Sequence, residues 1–374
     1  MHILFAGGGT AGHINPALAV AGYIKERHPD AKISYIGTAE KLEARLVPEA
    51  GYDFYTIDVA GFQRKVSLEN VKRNLSALRK VFVSSSQAKR LLRELRPDVV
   101  MGTGGYVSGP VVRQAARMGI KTAIHEQNAF PGVTTKMLAP KVDRVMLAMP
   151  EAKQYLKLQA EPIITGNPVR EAVIHADRQA ARQALGLDER PFILSFGGSL
   201  GARAINQAVA ELMAWHWKGG KYYHYHAAGK AGYEAMQALL KEKGVDLSAA
   251  PAIRMTEYIN DMDLCMAAAD LVICRAGAIT LSELQVQGKA AILIPSPYVA
   301  ENHQYHNAMT LKNKGAAQVI EEKELTGERL TNEAALLLSD PAALREMGEK
   351  AKASAVMDVN ERIYRVIMDL YEKQ

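Results

Sequence analysis

His2-Ile3-Leu4-Phe5-Ala6-Gly7-Gly8-Gly9-Thr10-Ala11-Gly12-His13 opens the chain, a strand-like run that meets glycines before a helical pattern from about Asn15 to Arg27. Gly7, Gly9 and Gly12 fit the spacing G-x-G-x-x-G. In such a loop glycines let the backbone turn tightly and approach an anion, while the helix N-terminus offers free N–H groups to a phosphate or pyrophosphate. The dinucleotide version also wants an acidic residue at the end of the second strand to hold a ribose. Here that place reads Ile36-Gly37-Thr38, with Glu40 only nearby. NAD binding is therefore disfavoured, and a tight turn with no ligand stays open for this loop taken alone.

Outward from the loop, short β-branched runs alternate with longer helical patterns. Lys32-Ile33-Ser34-Tyr35-Ile36, Asp98-Val99-Val100-Met101, Lys121-Thr122-Ala123-Ile124 and Arg144-Val145-Met146-Leu147 keep the beat. It restarts after Thr165-Gly166-Asn167-Pro168 with Phe192-Ile193-Leu194-Ser195-Phe196, a helix from about Ala202, and Tyr222 to His226. It continues through Asp270 to Cys274 and Ala291 to Ile294. Strand and helix in alternation imply right-handed crossovers and a parallel sheet covered on both faces. We read an α/β chain of two doubly wound, Rossmann-like domains, 1–163 and 164–350. The stretch from Ala342 to Glu372 reads as helical, with a final piece, 351–374, that is a candidate to pack back on the first domain.

Composition is ordinary for a globular protein of 374 residues: 48% hydrophobic, 23% charged and 6% aromatic. Disorder and a disulfide scaffold are excluded, since only Cys265 and Cys274 are present. The net charge of +6 hides an asymmetry: residues 1 to 165 carry 23 basic and 14 acidic side chains, and the remainder 23 and 26. Met1 leads straight into the strand, without the n-region and h-region of a signal peptide, so export is not expected. No apolar run approaches the length of a spanning helix, and any membrane contact is expected to be peripheral.

Two further glycine loops follow strands. Gly102-Thr103-Gly104-Gly105-Tyr106-Val107-Ser108-Gly109 lies in the first half and Gly197-Gly198-Ser199-Leu200-Gly201-Ala202 in the second, where Ser199 adds a hydroxyl. Ligands of open α/β sheets bind beyond the carboxyl ends of strands, so three such loops suggest domains facing across a cleft. In Cys274 to Glu283, a carboxylate stands one turn into a helix that starts at a strand end. Glu283 there could accept from a pair of ribose hydroxyls, or Ser282 and Glu283 could simply favour the helix start. His125-Glu126-Gln127-Asn128 also follows a strand, and four polar residues in a row there argue against packing alone. Asp261-Met262-Asp263 has the look of a metal-binding D-x-D, but it precedes the apolar run Leu264 to Ala269, where Asp is an expected helix cap. No metal and no cofactor is called for.

Taken together the sequence resembles the MurG family of UDP-N-acetylglucosamine:N-acetylmuramyl-(pentapeptide)-pyrophosphoryl-undecaprenol N-acetylglucosaminyltransferases, over essentially the whole chain. The resemblance rests on Gly8 to His13, Gly104 to Pro110, His125 to Asn128, Gly166-Asn167-Pro168-Val169-Arg170, Gly197 to Ala202, Arg275-Ala276-Gly277-Ala278 and His303-Gln304. It implies a GT-B architecture with the acceptor on the first domain and the sugar nucleotide mainly on the second. Donor contacts are implied for Thr10, Ala11, Gly12, Asn128, Arg170, Ser199, Ile259, Ala278, Ile279, Thr280, Leu281, Ser282, Glu283 and Gln304. Glu283 would take the ribose, Ile259 the uracil, Ser199 the phosphates, and Asn128 and Gln304 the sugar. Ala11 stands where many members have Gly, and Glu301 where many have Asp.

The implied reaction carries N-acetylglucosamine from UDP-N-acetylglucosamine to the muramyl 4-hydroxyl of the undecaprenyl-pyrophosphoryl-linked muramyl-pentapeptide, lipid I to lipid II, in peptidoglycan synthesis. It needs a base for the hydroxyl proton and positive potential for the departing pyrophosphate. His13 is the preferred base because its ordinary pKa near 6.5 leaves much of it neutral at pH 7. Glu126 is the main competitor, and a capping role for His13 stays open. One displacement would invert the donor's configuration.

Between Phe62 and Arg96 stand ten basic residues against Glu69 and Glu94. Val71, Leu75, Leu78 and Phe82 recur there at helical spacing, so Lys72, Arg73, Leu75, Arg79, Lys80 and Phe82, with Tyr106, are the candidate acceptor and membrane residues. Each basic residue near an anionic leaflet is worth about 1 kcal/mol. A core-facing stripe with a solvated charged face is the alternative. Nucleic acid is not an expected partner, because two aromatics make no stacking platform. The expected place is the cytoplasmic face of the cell membrane, held peripherally, with a cell-wall synthesis complex as a protein partner. Another UDP-sugar or acceptor, an epimerase, or a non-catalytic nucleotide-sugar-binding subunit are the competing functions.

Overall fold

Ile3, Leu4, Phe5 and Ala6 have no exposed surface, as the central strand of a parallel sheet covered on both faces requires. The computed structural model describes residues 1–59, 83–198 and 200–373. They form two compact units, one of Met1–Pro168 with Asp358–Gln374, the other of Val169–Met357.

The first unit is built on a seven-stranded, wholly parallel sheet: β1 (His2–Gly7), β2 (Lys32–Gly37), β3 (Asp53–Thr56), β4 (Val99–Gly104), β5 (Lys121–Glu126), β6 (Arg144–Leu147) and β7 (Ile163–Ile164). The order β3-β2-β1-β4-β5-β6-β7 reverses direction between β1 and β4, the crevice where ligands of doubly wound sheets bind. The second unit repeats the plan with β8 (Phe192–Phe196), β9 (Tyr223–Ala227), β10 (Ile253–Thr256), β11 (Leu271–Cys274), β12 (Ala290–Leu293) and β13 (Gln318–Val319) in the order β10-β9-β8-β11-β12-β13. Its switch point lies between β8 and β11, whose residues pair from Leu271↔Ile193 to Cys274↔Phe196.

Two helical readings need correction. The first helix begins at Ala11 rather than near Asn15, so His13 sits in its first turn, with its backbone N–H on the carbonyl of Thr10 at 3.0 Å. The stretch from Ala342 is two helices, Pro341–Lys352 and Val359–Glu372, broken where the chain leaves the second unit. The last helix packs on the first unit through buried Ile363, Ile367 and Leu370. Tyr23 Oη donates to Glu361 at 2.6 Å, His28 pairs with Tyr364 Oη at 2.8 Å, and Arg144 meets Asp369 at 3.0 Å. Asp261 stands at the N-cap position of Met262–Ala268, as read, but its side chain makes no capping bond.

A chain of polar groups runs through the second unit's core. His216 Nε2 meets His224 Nδ1 at 3.1 Å, His224 Nε2 meets Ser195 Oγ at 2.8 Å, Ser195 Oγ meets His226 Nδ1 at 2.8 Å, and His226 Nε2 meets Asn206 Oδ1 at 3.1 Å. Asn206 closes the row by donating Nδ2 to the carbonyl of Ala228 at 2.8 Å. That last bond makes Oδ1 the acceptor, so each ring donates through Nε2, and His224 and His226 accept through Nδ1. All three rings are neutral, and His216 Nδ1 is left without a partner among the described residues. Burial lowers all three pKa values, to about 4 for His216 and about 3 for His226.

Unfolded histidine protonates near 6.5, so the rings' contribution to stability is full above that pH. Below it the unfolded chain takes up protons that the folded core refuses, and stability drops until the folded pKa is reached. We expect a loss of about 2 kcal/mol per ring between pH 6.5 and 5. Urea unfolding of the second unit at the two pH values measures it, and an equal midpoint at both would contradict the assignment.

Candidate active site

At the first unit's switch point Gly7 pairs with Gly104, where the register shifts, and the loops that follow β1 and β4 touch. A Cβ at Gly105 would lie 2.4 Å from the carbonyl oxygen of Gly8, and φ there is +78°, so only glycine fits. Gly105→Ala is expected to destabilise the chain by about 2 kcal/mol or more and to push the two loops apart. A thermal melt with a turnover assay checks it.

The ring of His13 lies over Gly104, whose added Cβ would stand 2.6 Å from Cδ2. His13 Nδ1 donates to the carbonyl of Gly8 at 3.0 Å, with Thr10 Oγ1 at 3.3 Å as a weaker second contact. The proton on Nδ1 leaves the Nε2 lone pair without a partner among the described residues. Gly9 N–H, one of the groups that a pyrophosphate would use, instead donates to Glu43 Oε2 at 3.0 Å. Ser108 Oγ ties the second loop down, on the carbonyls of Ala6 at 2.7 Å and Gly104 at 2.8 Å. Tyr106 is exposed on the first turn of the helix Gly105–Arg117.

Of the four polar residues His125 to Asn128, the first two end β5, the last two follow it, and three point inward. His125 Nε2 meets the carbonyl of Gly166 at 2.9 Å, its Nδ1 accepts from Gln127 at 3.0 Å, and burial lowers its pKa, so it is a neutral strut. Gln127 also donates to the carbonyl of Thr103 at 2.9 Å. Glu126 Oε1 accepts from the backbone and side chain of Asn128 at 3.0 and 3.1 Å; Oε2 accepts from Gly132 N at 3.1 Å and Thr135 Oγ1 at 2.5 Å. A buried carboxylate with four such bonds organises the loop 127–132. Both oxygens of Glu126, a candidate proton acceptor, are thereby engaged by that loop.

In the second unit the loop after β8 crosses the loop after β9. A Cβ at Gly201, with φ +76°, would lie 2.2 Å from the carbonyl oxygen of Ala228, so the helix Arg203–His216 starts tightly against its neighbour. A cleft of about 550 Å³ opens there, bordered by Gly198, Leu200, Arg275, Ser296, Gln304 and Glu322. Arg275 forms an ion pair with Glu322 and donates to the carbonyl of Ile294 at 3.1 Å.

Gly277 caps the helix Ala278–Gln287, which carries Ile279, Thr280, Leu281, Ser282 and Glu283. Leu281 is fully buried, and Ser282 Oγ bonds back to the carbonyl of Ala278 at 3.2 Å. Glu283 Oε1 faces Arg170 Nη2 at 3.4 Å. Burial raises the pKa of Glu283, and the Arg170 guanidinium works against that shift. Ile259 is buried beyond β10. Gln304 Oε1 accepts from Ser296 N at 2.9 Å, which turns its amide nitrogen outward. The turn before it holds Glu301 and Asn302 at φ +55° and +49°, two left-handed non-glycine residues in succession. Such backbone costs about 1–3 kcal/mol per residue and clusters at functional sites.

The glycosyltransferase family 28 N-terminal domain matches residues 3–147, and the C-terminal domain of the same family matches 192–363. The chain belongs to glycosyltransferase family 28. It is 46% identical, over 100% of its own length and 99% of the relative's, to the UDP-N-acetylglucosamine--N-acetylmuramyl-(pentapeptide) pyrophosphoryl-undecaprenol N-acetylglucosamine transferase of Acetivibrio thermocellus. The enzyme of the same name from Ruminiclostridium cellulolyticum is 43% identical, over 99% of this chain and 100% of that one. A crystal structure of Acinetobacter baumannii MurG superposes with a TM-score of 0.80 at 30% identity, covering 98% of this chain and 99% of that one.

The family 28 chain thus gathers Thr10, Ala11, Gly12 and His13, with Tyr106 and Glu126 to Asn128, at the carboxyl end of one sheet. Arg170, Ala278 to Glu283 and Gln304 belong to the other unit. Lys72, Arg73, Leu75, Arg79, Lys80, Phe82 and Ser199 lie outside the described residues. Sequence reading missed Glu43, the Arg275–Glu322 pair and the strained turn at Glu301-Asn302. The one signal for Glu43 was a second glycine, Gly37, beside the first loop. Among the described residues no His/Cys/Asp/Glu group could hold a metal, and no helix is long and apolar enough to cross a membrane.

Proposed function

We propose that this chain transfers N-acetylglucosamine from UDP-N-acetylglucosamine to the muramyl 4-hydroxyl of undecaprenyl-pyrophosphoryl-linked N-acetylmuramyl-pentapeptide, making lipid II from lipid I. The observation that carries the reading is 46% identity to a transferase named for these substrates, with both chains covered end to end.

The residues divide the work. His13 Nε2 takes the acceptor's hydroxyl proton as the oxygen attacks the anomeric carbon, because Nδ1 already donates to Gly8. Thr10 to Gly12 contact the donor, and Asn128 reaches toward its sugar. Glu126 orients the Asn128 loop. In the second unit the N-termini of Arg203–His216 and Ala278–Gln287, with Ser199, present positive dipole ends to the departing pyrophosphate. Glu283 accepts from the ribose hydroxyls, Arg170 holds that carboxylate, Ile259 lies against the uracil, and Gln304 donates its amide to the sugar. Residues 1–163 take the acceptor and 164–350 the donor. The basic segment with Lys72, Arg73, Leu75, Arg79, Lys80 and Phe82 docks on the anionic cytoplasmic leaflet, with Tyr106 near the acceptor, and a cell-wall synthesis complex is the protein partner there.

The test is UDP release from UDP-N-acetylglucosamine with a short-chain polyprenyl-pyrophosphoryl-muramyl-pentapeptide, in EDTA, with UDP-N-acetylgalactosamine as competitor. Acceptor-dependent turnover favouring the gluco donor supports the reading. Conversion of the donor without acceptor would replace it by an epimerase, and tight donor binding with no turnover by a binding subunit.

A further inference from the structure

Glu43 has no exposed surface and meets no cation among the described residues. An isolated buried charge is costly unless hydrogen bonds compensate it, and here three donors do. Gly9 N–H lies at 3.0 Å from Oε2, while Thr38 N–H and Thr38 Oγ–H lie at 3.2 and 2.7 Å from Oε1. The backbone is cut away to admit the group: a Cβ at Gly8 would stand 2.3 Å from Oε1, and one at Gly37 would stand 2.6 Å from Cγ.

The N–H that Glu43 grips and the carbonyl that His13 Nδ1 uses are the two ends of one peptide unit, Gly8–Gly9. A carboxylate on the N–H end pushes electron density toward the carbonyl oxygen, and hydrogen bonds in series strengthen one another. We propose that Glu43 is a positioning residue for glycosyl transfer, acting through the Gly8–Gly9 peptide to keep the proton of His13 on Nδ1 and its lone pair on Nε2. The arrangement does through an amide what a directly bonded carboxylate does for a catalytic histidine: it fixes the tautomer and steadies the imidazolium that forms. The inference rests on the reading of His13 as the base.

Glu43→Gln tests it, since an amide nitrogen facing Gly9 N–H or Thr38 N–H opposes donor to donor. The expected result is a kcat lower by about tenfold or more, a donor KM within about twofold, and a His13 ring whose ¹⁵N shifts move toward the Nε2–H tautomer. Unchanged kcat and unchanged tautomer in folded Glu43→Gln would overturn the proposal. If that variant does not fold, Thr38→Val removes the 2.7 Å bond alone. It should move the same ring shifts in the same direction, and a spectrum identical to wild type overturns the proposal equally. His13→Gln separates the two readings. Undiminished turnover there ends the base assignment itself, whereas abolished turnover with an unmoved tautomer in Glu43→Gln ends only the relay.

Discussion

His13→Ala is expected to lower kcat by about 10²- to 10⁴-fold, the usual share of a positioned general base, while leaving donor affinity within about twofold. The asymmetry follows from where the ring's bonds go. Nδ1 is spent on Gly8, so what the substitution removes from the site is the Nε2 lone pair. The ring also fills space over Gly104, and some loosening of the second loop will accompany the loss. Single-turnover kinetics with UDP-sugar binding by calorimetry separates the two effects. A fall in affinity as large as the fall in rate would make His13 a binding or capping residue.

Glu283→Ala should act on the other quantity. A carboxylate accepting from a ribose diol contributes about 1.5–3 kcal/mol, so the donor's Kd should rise roughly 10- to 150-fold with a smaller change in kcat. Glu283→Gln keeps the shape and one acceptor and should fall between. Because burial holds the pKa of Glu283 above its ordinary value, donor affinity in the wild type should decline with falling pH sooner than for an exposed glutamate. In Glu283→Gln that part of the decline should vanish. Isothermal titration across pH 4.5 to 8 reads both, and equal slopes in the two proteins would place the ribose contact elsewhere.

The parts of this molecule that are legible in its sequence are those whose signal is local. Ile3 to Ala6 followed by glycines, and Phe192 to Phe196 followed by glycines, announce buried parallel strands and their turns within a dozen residues. Asp53–Thr56, Ile163–Ile164 and Gln318–Val319 are strands too short to show a period, and only pairing with a neighbour makes them strands. Gly12 and His13 have the look of loop residues, which hid the helix start at Ala11.

The site divides along the same line. Glu283 could be placed from its position one turn into a helix after a strand. The inward turn of Glu126 depends on Gly132 and Thr135, and the task of Glu43 on a loop 34 residues away. Neither separation leaves a periodic trace.

The last helix, Val359–Glu372, covers the first unit with side chains made only after the whole second unit. A ribosome adding about 5–20 residues per second needs roughly 10–40 seconds to travel from Pro168 to that helix. The whole of Val169–Met357 is synthesised in the meantime. Released chains truncated shortly before Val359 should therefore hold a finished second unit and a first unit that proteases still open around Tyr23 and His28.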